Sequence, residues 1–244
     1  MLKLAVIGDP VEHSASPALH RGFLDAAAIA GTYEAIRVRA GEGARAIEDL
    51  RAAGYTGLNV TTPLKEEAFA RADVRDPIAR ATGAVNTLIL GSTIRGYNTD
   101  GIGTIGALAS AGLIDVAGRH ILVLGAGPTA RAAVAALSRA GAIVTIWNRT
   151  QAKADAIVRD LSARAWPLGS GNAHAYDAVF STLSPGVEIG DATLARVLTQ
   201  TPIIVDANYA ARATLGKAIG RDDVVDGAAM LAASARAAFE YFRA

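Results

Sequence analysis

Apolar runs and polar breaks alternate along the second half of the chain in a pattern that predicts strands and helices in turn. A short apolar run at 121–124 predicts a buried strand, and the alanine-rich stretch at 129–140 suits a helix. A second β-rich run follows at 143–147. The pattern continues with a helix at 152–163, a strand at 178–181, a helix at 191–198 and a strand at 203–206. Strands separated by helices predict a parallel sheet covered on both faces.

The first half of the chain has its own alternation of strands and helices. The predicted strands are 2–7, 32–38 and 57–60, followed by a hairpin of 84–90 with 93–97. The predicted helices are 17–30, 43–53 and 101–111, with short helical segments at 63–70 and 78–81. Ser16 is expected as the N-cap of the first helix, with Pro17 at its first position.

Two α/β domains facing each other across a cleft account for this pattern. Residues 1–100 are expected to form an N-terminal domain with a mostly parallel sheet, and residues 101–227 a Rossmann-type dinucleotide-binding domain. The last predicted helix, at 228–242, is apolar on one face and long enough to pack back onto the first domain. We therefore expect residues 228–244 to complete that first domain.

The glycine-rich turn after the strand at 121–124 is typical of a dinucleotide site. Gly125 permits the tight turn, Gly127 lets a pyrophosphate approach the backbone, and Ala130 keeps the helix close to the sheet. The N-terminus of that helix supplies N–H groups and a partial positive charge to phosphates. The residues assigned to the cofactor here are Gly125, Ala126, Gly127, Pro128, Thr129 and Ala130.

The end of the strand at 143–147 indicates which dinucleotide binds. NAD sites usually place an acidic residue there, whereas this chain has Asn148, Arg149 and Thr150, with Lys153 following. An acid would repel a 2′-phosphate, and a guanidinium binds one bidentately. The pattern predicts NADP. The simpler alternative is that Arg149 is a solvated residue after a strand.

Composition narrows the class of protein. The chain has 244 residues, is 51% hydrophobic and carries a net charge of +1, so we expect no nucleic-acid partner. No apolar run reaches the roughly 18 residues of a membrane span, and no secretory signal opens the chain, so we expect a cytoplasmic protein. The chain lacks cysteine, which excludes disulfides and thiolate chemistry. The four histidines show no metal-ligand spacing, and we expect no metal site: His13, His20, His120 and His174.

Several polar residues of the first half lie where predicted elements meet. Ser14 and Ser16 follow the first strand, where a helix N-terminus and two hydroxyls could hold a carboxylate. Each also has an ordinary interpretation, such as a helix cap or a solvated side chain. Their joint position at strand ends indicates a ligand site, because ligands bind there in open α/β sheets. The others of this group are Thr61, Lys65, Asn86 within the strand 84–90, and Asp100 at the start of a helix.

Four segments, read in order, make the pattern specific. They are 8–20, Asn-Val-Thr-Thr-Pro-Leu-Lys at 59–65, Gly-Ala-Val-Asn-Thr at 83–87 and Tyr-Asn-Thr-Asp-Gly at 97–101. With the two cofactor segments above, and with Asp226-Gly227 and Met230-Leu231, the chain closely resembles the shikimate dehydrogenase family along essentially its full length. The resemblance implies reversible reduction of 3-dehydroshikimate to shikimate with NADPH, and a place in the chorismate pathway of aromatic amino acid biosynthesis.

The resemblance also implies a role for each site residue. The positions matching Ser14, Ser16 and Tyr209 bind the substrate carboxylate, and that of Gly227 belongs to the cofactor site. The positions matching Thr61, Lys65, Asn86 and Asp100 hold ring hydroxyls, and Lys65 and Asp100 form the catalytic pair. The chemistry suits them, since an ammonium can donate a proton to a developing alkoxide and a nearby carboxylate keeps that ammonium charged.

The chain departs from the family at three places, which leaves its substrate open. Ser234 replaces a glutamine that contacts a substrate hydroxyl, and the shorter side chain would leave a gap or admit a water. Ser181-Thr182-Leu183 replaces Asn-Ala-Thr on the nicotinamide side, and the stretch 209–226 is shortened, with Ala211 where proline is common.

Three interpretations therefore stand. The first is an NADPH-dependent shikimate dehydrogenase. The second is a dehydrogenase for quinate, aminoshikimate or another shikimate-like hydroxy acid, with Ser234 as its cue. The third is a ligand-sensing paralogue without turnover, against which the retained Lys65–Asp100 pair argues. The expected partner is a small shikimate-like carboxylate, with no nucleic acid and no membrane, and the chain is expected to be a monomer or homodimer.

Overall fold

The computed structural model describes residues 1–161, 163–165 and 175–244, and they form two compact units. Unit 1 consists of Met1–Thr99 and Ala232–Ala244, and unit 2 consists of Asp100–Leu231. The first boundary falls between Thr99 and Asp100. The second falls within the last helix, α10 (Ala228–Arg243).

Unit 1 is built on a six-stranded mixed sheet with the order β2-β1-β3-β5-β6-β4. The three strands β1, β2 and β3 are parallel, whereas β5 runs antiparallel to both β3 and β6. Its elements are β1 (Leu2–Gly8), α1 (Ser16–Ala26), β2 (Gly31–Arg37), α2 (Gly43–Ala52), β3 (Gly57–Val60), α3 (Lys65–Arg71), β4 (Val74–Arg75), α4 (Pro77–Thr82), β5 (Thr87–Leu90) and β6 (Ile94–Tyr97).

The reversed direction of β5 brings distant polar segments to one edge of this sheet. The register pairs Asn59 near the end of β3 with Thr87 at the start of β5, and Thr87 with Tyr97 at the end of β6. The residues just before β5 and just after β6 therefore lie at the edge where β1 and β3 end. This edge is called the polar edge below.

Alternating side chains of β1 supply the core on both faces of the sheet, as the two-residue period of a strand requires. Leu4 and Val6 pack in one cluster with Ala238 and Phe242 of α10. Ala5 and Ile7 face a separate cluster that includes residues of α2 and α3. A Cβ at Gly57 would lie 2.4 Å from the Phe242 ring, so this position requires glycine.

Unit 2 is a five-stranded parallel sheet with the order β11-β10-β7-β8-β9. The chain order reverses at β7, which gives the Rossmann arrangement and puts a ligand crevice at the carboxyl end of that strand. The elements are α5 (Asp100–Ser110), β7 (His120–Leu124), α6 (Pro128–Arg139), β8 (Ile143–Trp147), α7 (Gln151–Asp160), β9 (Arg164–Ala165), β10 (Ala178–Ser181), α8 (Ala192–Gln200), β11 (Ile203–Asp206), a 3₁₀ turn (Ala210–Arg212), α9 (Leu215–Ile219) and the start of α10.

The predicted α/β class and its main elements are confirmed, with a few differences in detail. The first helix ends at Ala26 rather than at residue 30, because Ala28 adopts a left-handed conformation with φ +52° and the Ile29 N–H bonds the Leu24 carbonyl. The helix predicted over 152–163 ends at Asp160. The pattern missed the short elements β4, β9 and α9.

Two predictions at the polar edge are wrong in detail. Ser16 is not an N-cap: the helix begins at Ser16, and Ala15 occupies the cap position with no side-chain bond. The buried Ser16 hydroxyl instead bonds Tyr33, an interaction that a capping rule based on neighbouring residues cannot anticipate. Asn86 was expected within a strand, but β5 begins one residue later.

Candidate functional site

The carboxamide of Asn86 is held in one orientation at the polar edge. Its Oδ1 accepts hydrogen bonds from the hydroxyl of Thr87 at 3.0 Å and from the N–H and hydroxyl of Thr99 at 2.9 and 3.2 Å. Three donors on one oxygen assign the amide, because its nitrogen could accept none of them. Asn86 therefore presents its NH₂ group, a donor, at the opposite end.

Ser234 of α10 supports this arrangement through Thr99. The two hydroxyl oxygens lie 2.7 Å apart. Because the single hydroxyl proton of Thr99 goes to Asn86, Ser234 is the donor of this second bond. The gap expected between Ser234 and a substrate hydroxyl stays a prediction. Thr99 is a residue that sequence reasoning missed, although it lies in the segment 97–101.

A second set of bonds joins Ser16 to the same edge. The buried hydroxyl of Tyr33 donates to Asn59 Oδ1 at 2.7 Å, and Ser16 also bonds that hydroxyl. Burial raises the pKa of Tyr33 well above its usual value, while the bond to Ser16 acts in the opposite direction. Asn59 Nδ2 donates to the hydroxyl of Thr87 at 3.3 Å, next to Asn86. Tyr33 and Asn59 were also missed, and the signal for Asn59 was its place at the head of the segment 59–65.

The remaining predicted residues of unit 1 are at the same edge. Ser14 follows β1, and its Oγ accepts the Ser16 N–H at 3.3 Å. Thr61 directly follows β3, and its N–H donates to the Ile7 carbonyl of β1. Lys65 is half-buried at the start of α3, and its carbonyl accepts the Val85 N–H at 2.9 Å. The edge therefore offers hydroxyls, an amide and one ammonium.

Asp100, the first residue of α5 in unit 2, is a buried carboxylate with 5% of its surface exposed. Its Oδ2 accepts a hydrogen bond from the hydroxyl of Thr129 at 3.2 Å. Thr129 lies in the first turn of α6. The carboxylate is thus tied to the helix that follows the glycine turn.

The glycine turn of unit 2 fits a dinucleotide. Gly125 has φ +104°, and a Cβ there would lie 2.4 Å from the hydroxyl oxygen of Thr182, so no other residue is accommodated. A Cβ at Gly127 would meet nothing within 4 Å, which leaves the open approach that a diphosphate needs. Gly127 occupies the N-cap position of α6 and makes no side-chain cap bond, with Pro128 and Thr129 following, so this helix end suits an anion. Ala130 is fully buried and Ala126 half-buried.

The residues after β8 fit a 2′-phosphate. Leu124 pairs with Trp147, and the Gly125 N–H donates to the Trp147 carbonyl at 2.8 Å, so the end of β8 adjoins the glycine turn. Asn148 is half-buried and donates to the Thr150 carbonyl at 2.9 Å. The side chains of Arg149, Thr150 and Lys153 are exposed.

The segments after β10 and β11 are tied together. Asn208 Nδ2 donates to the Leu183 carbonyl and to Asp206 Oδ1, both at 2.8 Å. Gly227 is buried, and a Cβ there would lie 2.2 Å from the Ala207 carbonyl oxygen, so close packing of the backbone explains this glycine. Its N–H donates to the Asn208 carbonyl. The cofactor role predicted for Gly227 remains a proposal. Tyr209 is half-buried just before the 3₁₀ turn.

Within the described residues, no group of three or more histidine or acidic side chains could hold a metal ion. His174 lies outside the described residues. His20 is fully buried, neither of its ring nitrogens has a hydrogen-bond partner among the described residues, and burial lowers its pKa to about 4. Among the helices that the structure describes, none has the length and apolar character to cross a membrane.

Two family models match the chain. The first is the shikimate dehydrogenase substrate binding domain, over residues 6–88, and the second is shikimate / quinate 5-dehydrogenase, over residues 107–208. Each match lies wholly within one of the two units. Together they span most of the chain.

Individual proteins agree with these models. The chain is 36% identical over 241 residues to a shikimate dehydrogenase (NADP(+)) of Methanothrix thermoacetophila, a match that covers 96% of this chain and 89% of that protein. It is 44% identical over 165 residues to the corresponding Methanosarcina acetivorans protein, which covers 66% of this chain and 59% of that relative. The crystal structure of Thermus thermophilus shikimate 5-dehydrogenase in complex with NADP(H) and shikimate superposes with a TM-score of 0.80 at 31% identity, covering 99% of this chain and 93% of that one.

Proposed function

Because this chain belongs to the shikimate dehydrogenase family, we propose that it catalyses the reversible, NADPH-dependent reduction of 3-dehydroshikimate to shikimate. The observation that carries the proposal is the polar edge of unit 1. There the amide of Asn86 is held by three donors in the part of the chain that also contains Ser14, Ser16 and Lys65. A polyhydroxylated carboxylate needs such a set of fixed, mostly uncharged groups.

The proposed substrate contacts follow from the chemistry of each side chain. Ser14 and Ser16 bind the carboxylate with hydroxyls at the start of α1, and Tyr209 contributes a phenol to the same group. Asn86 donates from its fixed NH₂ end to a ring hydroxyl. The further hydroxyl contacts are assigned to Thr61, Lys65, Asp100 and Ser234.

Lys65 and Asp100 are the proposed acid–base pair. When bound, NADPH supplies the hydride. The ammonium of Lys65 stabilises the developing alkoxide and donates its proton to that oxygen, and in the oxidative direction the same nitrogen receives the proton. The buried carboxylate of Asp100 accepts a hydrogen bond from the substrate hydroxyl and so orients it.

The cofactor assignment rests on unit 2. The first-turn N–H groups of α6 receive the diphosphate across Gly125, Ala126 and Gly127, with Pro128, Thr129 and Ala130 completing the turn. Arg149 and Lys153 bind the 2′-phosphate, and Asn148 and Thr150 shape that site. Gly227 completes the site. In domain terms, residues 1–100 with the C-terminal helix bind substrate, and residues 101–227 bind NADP.

The proposal is tested by following absorbance at the reduced-nicotinamide band with shikimate and with quinate, each supplied with NADP⁺ and with NAD⁺. Shikimate with NADP⁺ is expected to be the fastest of the four pairs. Turnover of quinate with NAD⁺ but not of shikimate with NADP⁺ would overturn the assignment. No absorbance change with any of the four pairs, together with shikimate binding measurable by calorimetry, would identify a ligand sensor.

A second candidate is a dehydrogenase for a variant substrate, such as quinate, aminoshikimate or a related cyclic hydroxy acid. The bond between Ser234 and Thr99 favours it, because a serine engaged in this way reaches less far than a glutamine at the same position. A wider substrate panel with both cofactors separates the two candidates. We place either reaction in the cytoplasm, and the shikimate reaction in the chorismate pathway of aromatic amino acid biosynthesis, with the chain as a monomer or homodimer.

A further inference from the structure

Helices α5 and α6 of unit 2 approach each other unusually closely at Gly101. A Cβ at Gly101 would lie 2.7 Å from the Cβ of Ala136 and 3.2 Å from the Ala132 carbonyl oxygen, so the small residues permit this approach. Because Gly101 is the second residue of α5, the approach brings the first residue, Asp100, beside the first turn of α6. The contact between Asp100 and Thr129 is a consequence of this packing.

The hydroxyl of Thr129 donates to Asp100 Oδ2 at 3.2 Å. The last side-chain torsion of a carboxylate is broad, and each hydrogen-bond donor narrows the range of orientations of its plane. Asp100 is 5% exposed, so water does little to orient it, and the hydroxyl of Thr129 is well placed to do so. The backbone of Thr129 belongs to the first turn of α6, whose N–H groups point towards the helix end assigned to the diphosphate.

We propose that Thr129 is a positioning residue, whose hydroxyl holds the Asp100 carboxylate in the orientation that receives the substrate hydroxyl. Its backbone N–H belongs to the turn assigned to the cofactor, whereas its side chain orients a carboxylate assigned to the substrate. The role of Asp100 itself rests on the proposed function. The contact between the two side chains is independent of it.

Two substitutions at Thr129 test the role of its hydroxyl. Thr129→Val keeps the shape and the backbone N–H but removes the donor, and we expect kcat for shikimate oxidation to fall about tenfold or more, as for loss of a hydrogen bond to a charged group. The dissociation constant of NADP⁺, measured by fluorescence, should stay within about twofold because the N–H groups remain. Thr129→Ser retains the hydroxyl and should restore kcat to within about threefold of wild type.

Thr104→Val is the matched control. Thr104 lies in α5, the helix of Asp100, and its hydroxyl donates to the backbone carbonyl of Asp100 at 3.0 Å. The variant therefore removes a buried threonine hydroxyl beside Asp100 without removing a bond to the carboxylate. Its kcat should remain near wild type. Wild-type kcat in Thr129→Val, or a loss that appears only as weaker NADP⁺ binding, would overturn the positioning role.

A double-mutant cycle with Asp100→Ala makes the test independent of turnover. Urea unfolding and shikimate binding are measured for both single variants and for the double variant. We expect the effect of Thr129→Val to disappear in the Asp100→Ala background, because its partner is already absent. Additive effects in urea would overturn the inference. A wild-type protein that neither binds nor oxidises shikimate contradicts the proposed function alone, and the urea cycle then still decides whether the two side chains are coupled.

Discussion

The hydroxyl of Thr99 lies 2.7 Å from the hydroxyl of Ser234, although the two residues are separated by 135 positions in the chain. The hydroxyl of Thr99 in turn donates to Asn86 Oδ1 at 3.2 Å. Helix α10 thereby helps to orient an amide at the polar edge of unit 1. In addition to the substrate contact proposed for it, Ser234 is therefore connected to the proposed substrate site through Thr99.

Ser234→Ala should raise KM for shikimate by about two- to tenfold and leave kcat within about twofold, because loss of one neutral hydrogen bond loosens Thr99 and hence Asn86. Steady-state kinetics with shikimate varied at saturating NADP⁺ give both constants. Ser110→Ala is the control, since that hydroxyl bonds only the Ala107 carbonyl of its own helix among the contacts described. An unchanged KM in Ser234→Ala would contradict the orienting role of this serine.

Lys65→Ala or Asp100→Ala should lower kcat by about 10²–10⁴-fold, the usual contribution of a general acid or base. NADP⁺ affinity should be nearly unchanged, because neither side chain is assigned to the cofactor. Steady-state absorbance measurements give kcat, and fluorescence titration gives the NADP⁺ affinity. Lys217→Ala removes an exposed lysine of α9 and should match wild type. Normal turnover in either active-site variant would refute the acid–base assignment.

Arg149→Ala should weaken NADP⁺ binding by about 10–100-fold, while NAD⁺ binding changes by less than about threefold. The reason is that only NADP⁺ carries the 2′-phosphate that a guanidinium binds bidentately. Calorimetric titration with each cofactor makes the comparison. The control is Arg159→Ala, an exposed arginine of the following helix α7, which should affect neither cofactor. An equal loss of affinity for NADP⁺ and NAD⁺ would show that Arg149 does not bind the 2′-phosphate.

His20 is buried in an aromatic cluster of unit 1. Its ring stacks on Tyr33 with the centroids 4.3 Å apart, and it also contacts Phe23, Phe239 and Phe242. The one charged group found against this cluster in the described residues is the guanidinium of Arg236, which lies over the Phe23 ring. Burial lowers the pKa of His20 from its ordinary 6.5 to about 4.

This shift predicts a loss of stability in acid. Between about pH 4 and 6.5 the unfolded chain protonates the histidine and the folded chain does not, so stability falls as the pH falls through this window and is fully retained above 6.5. Across this window His20 lowers the free energy of unfolding by about 3 kcal/mol. Urea unfolding from pH 7 to 4 should show a drop smaller by about that amount in His20→Leu. His13→Leu, at an exposed position, should follow wild type. Parallel curves for wild type and His20→Leu would exclude the effect.

Parts of the site that depend on adjacent residues were predictable. The strand, glycine turn and helix at 120–139 form one continuous segment, so the spacing of Gly125 and Gly127 sufficed. The residues Asn148 to Thr150 follow the neighbouring parallel strand, and the register of a strand–helix–strand unit puts them beside the turn. The candidates at the polar edge were also identified, since they follow or precede strands.

The partners of those candidates were not predictable. Nothing in the local pattern indicates that Ser16 bonds Tyr33 rather than capping its helix, or that Thr99 joins Asn86 to Ser234. The antiparallel direction of β5 decides which segments share the polar edge. A hydrophobic pattern with a period of two is the same in either direction, so it cannot specify that choice.

The sequence by itself determined the α/β class, the dinucleotide turn, the basic residues that indicate NADP and the family, because each of these depends on short-range spacing and residue type. Only the tertiary structure decided how those residues are held: Asn86 by Thr99 and Ser234, and Asp100 by Thr129. A side-chain hydrogen bond requires two atoms to come within about 3 Å. That distance is set by the packing of whole helices and strands, which the order of residues along the chain does not record.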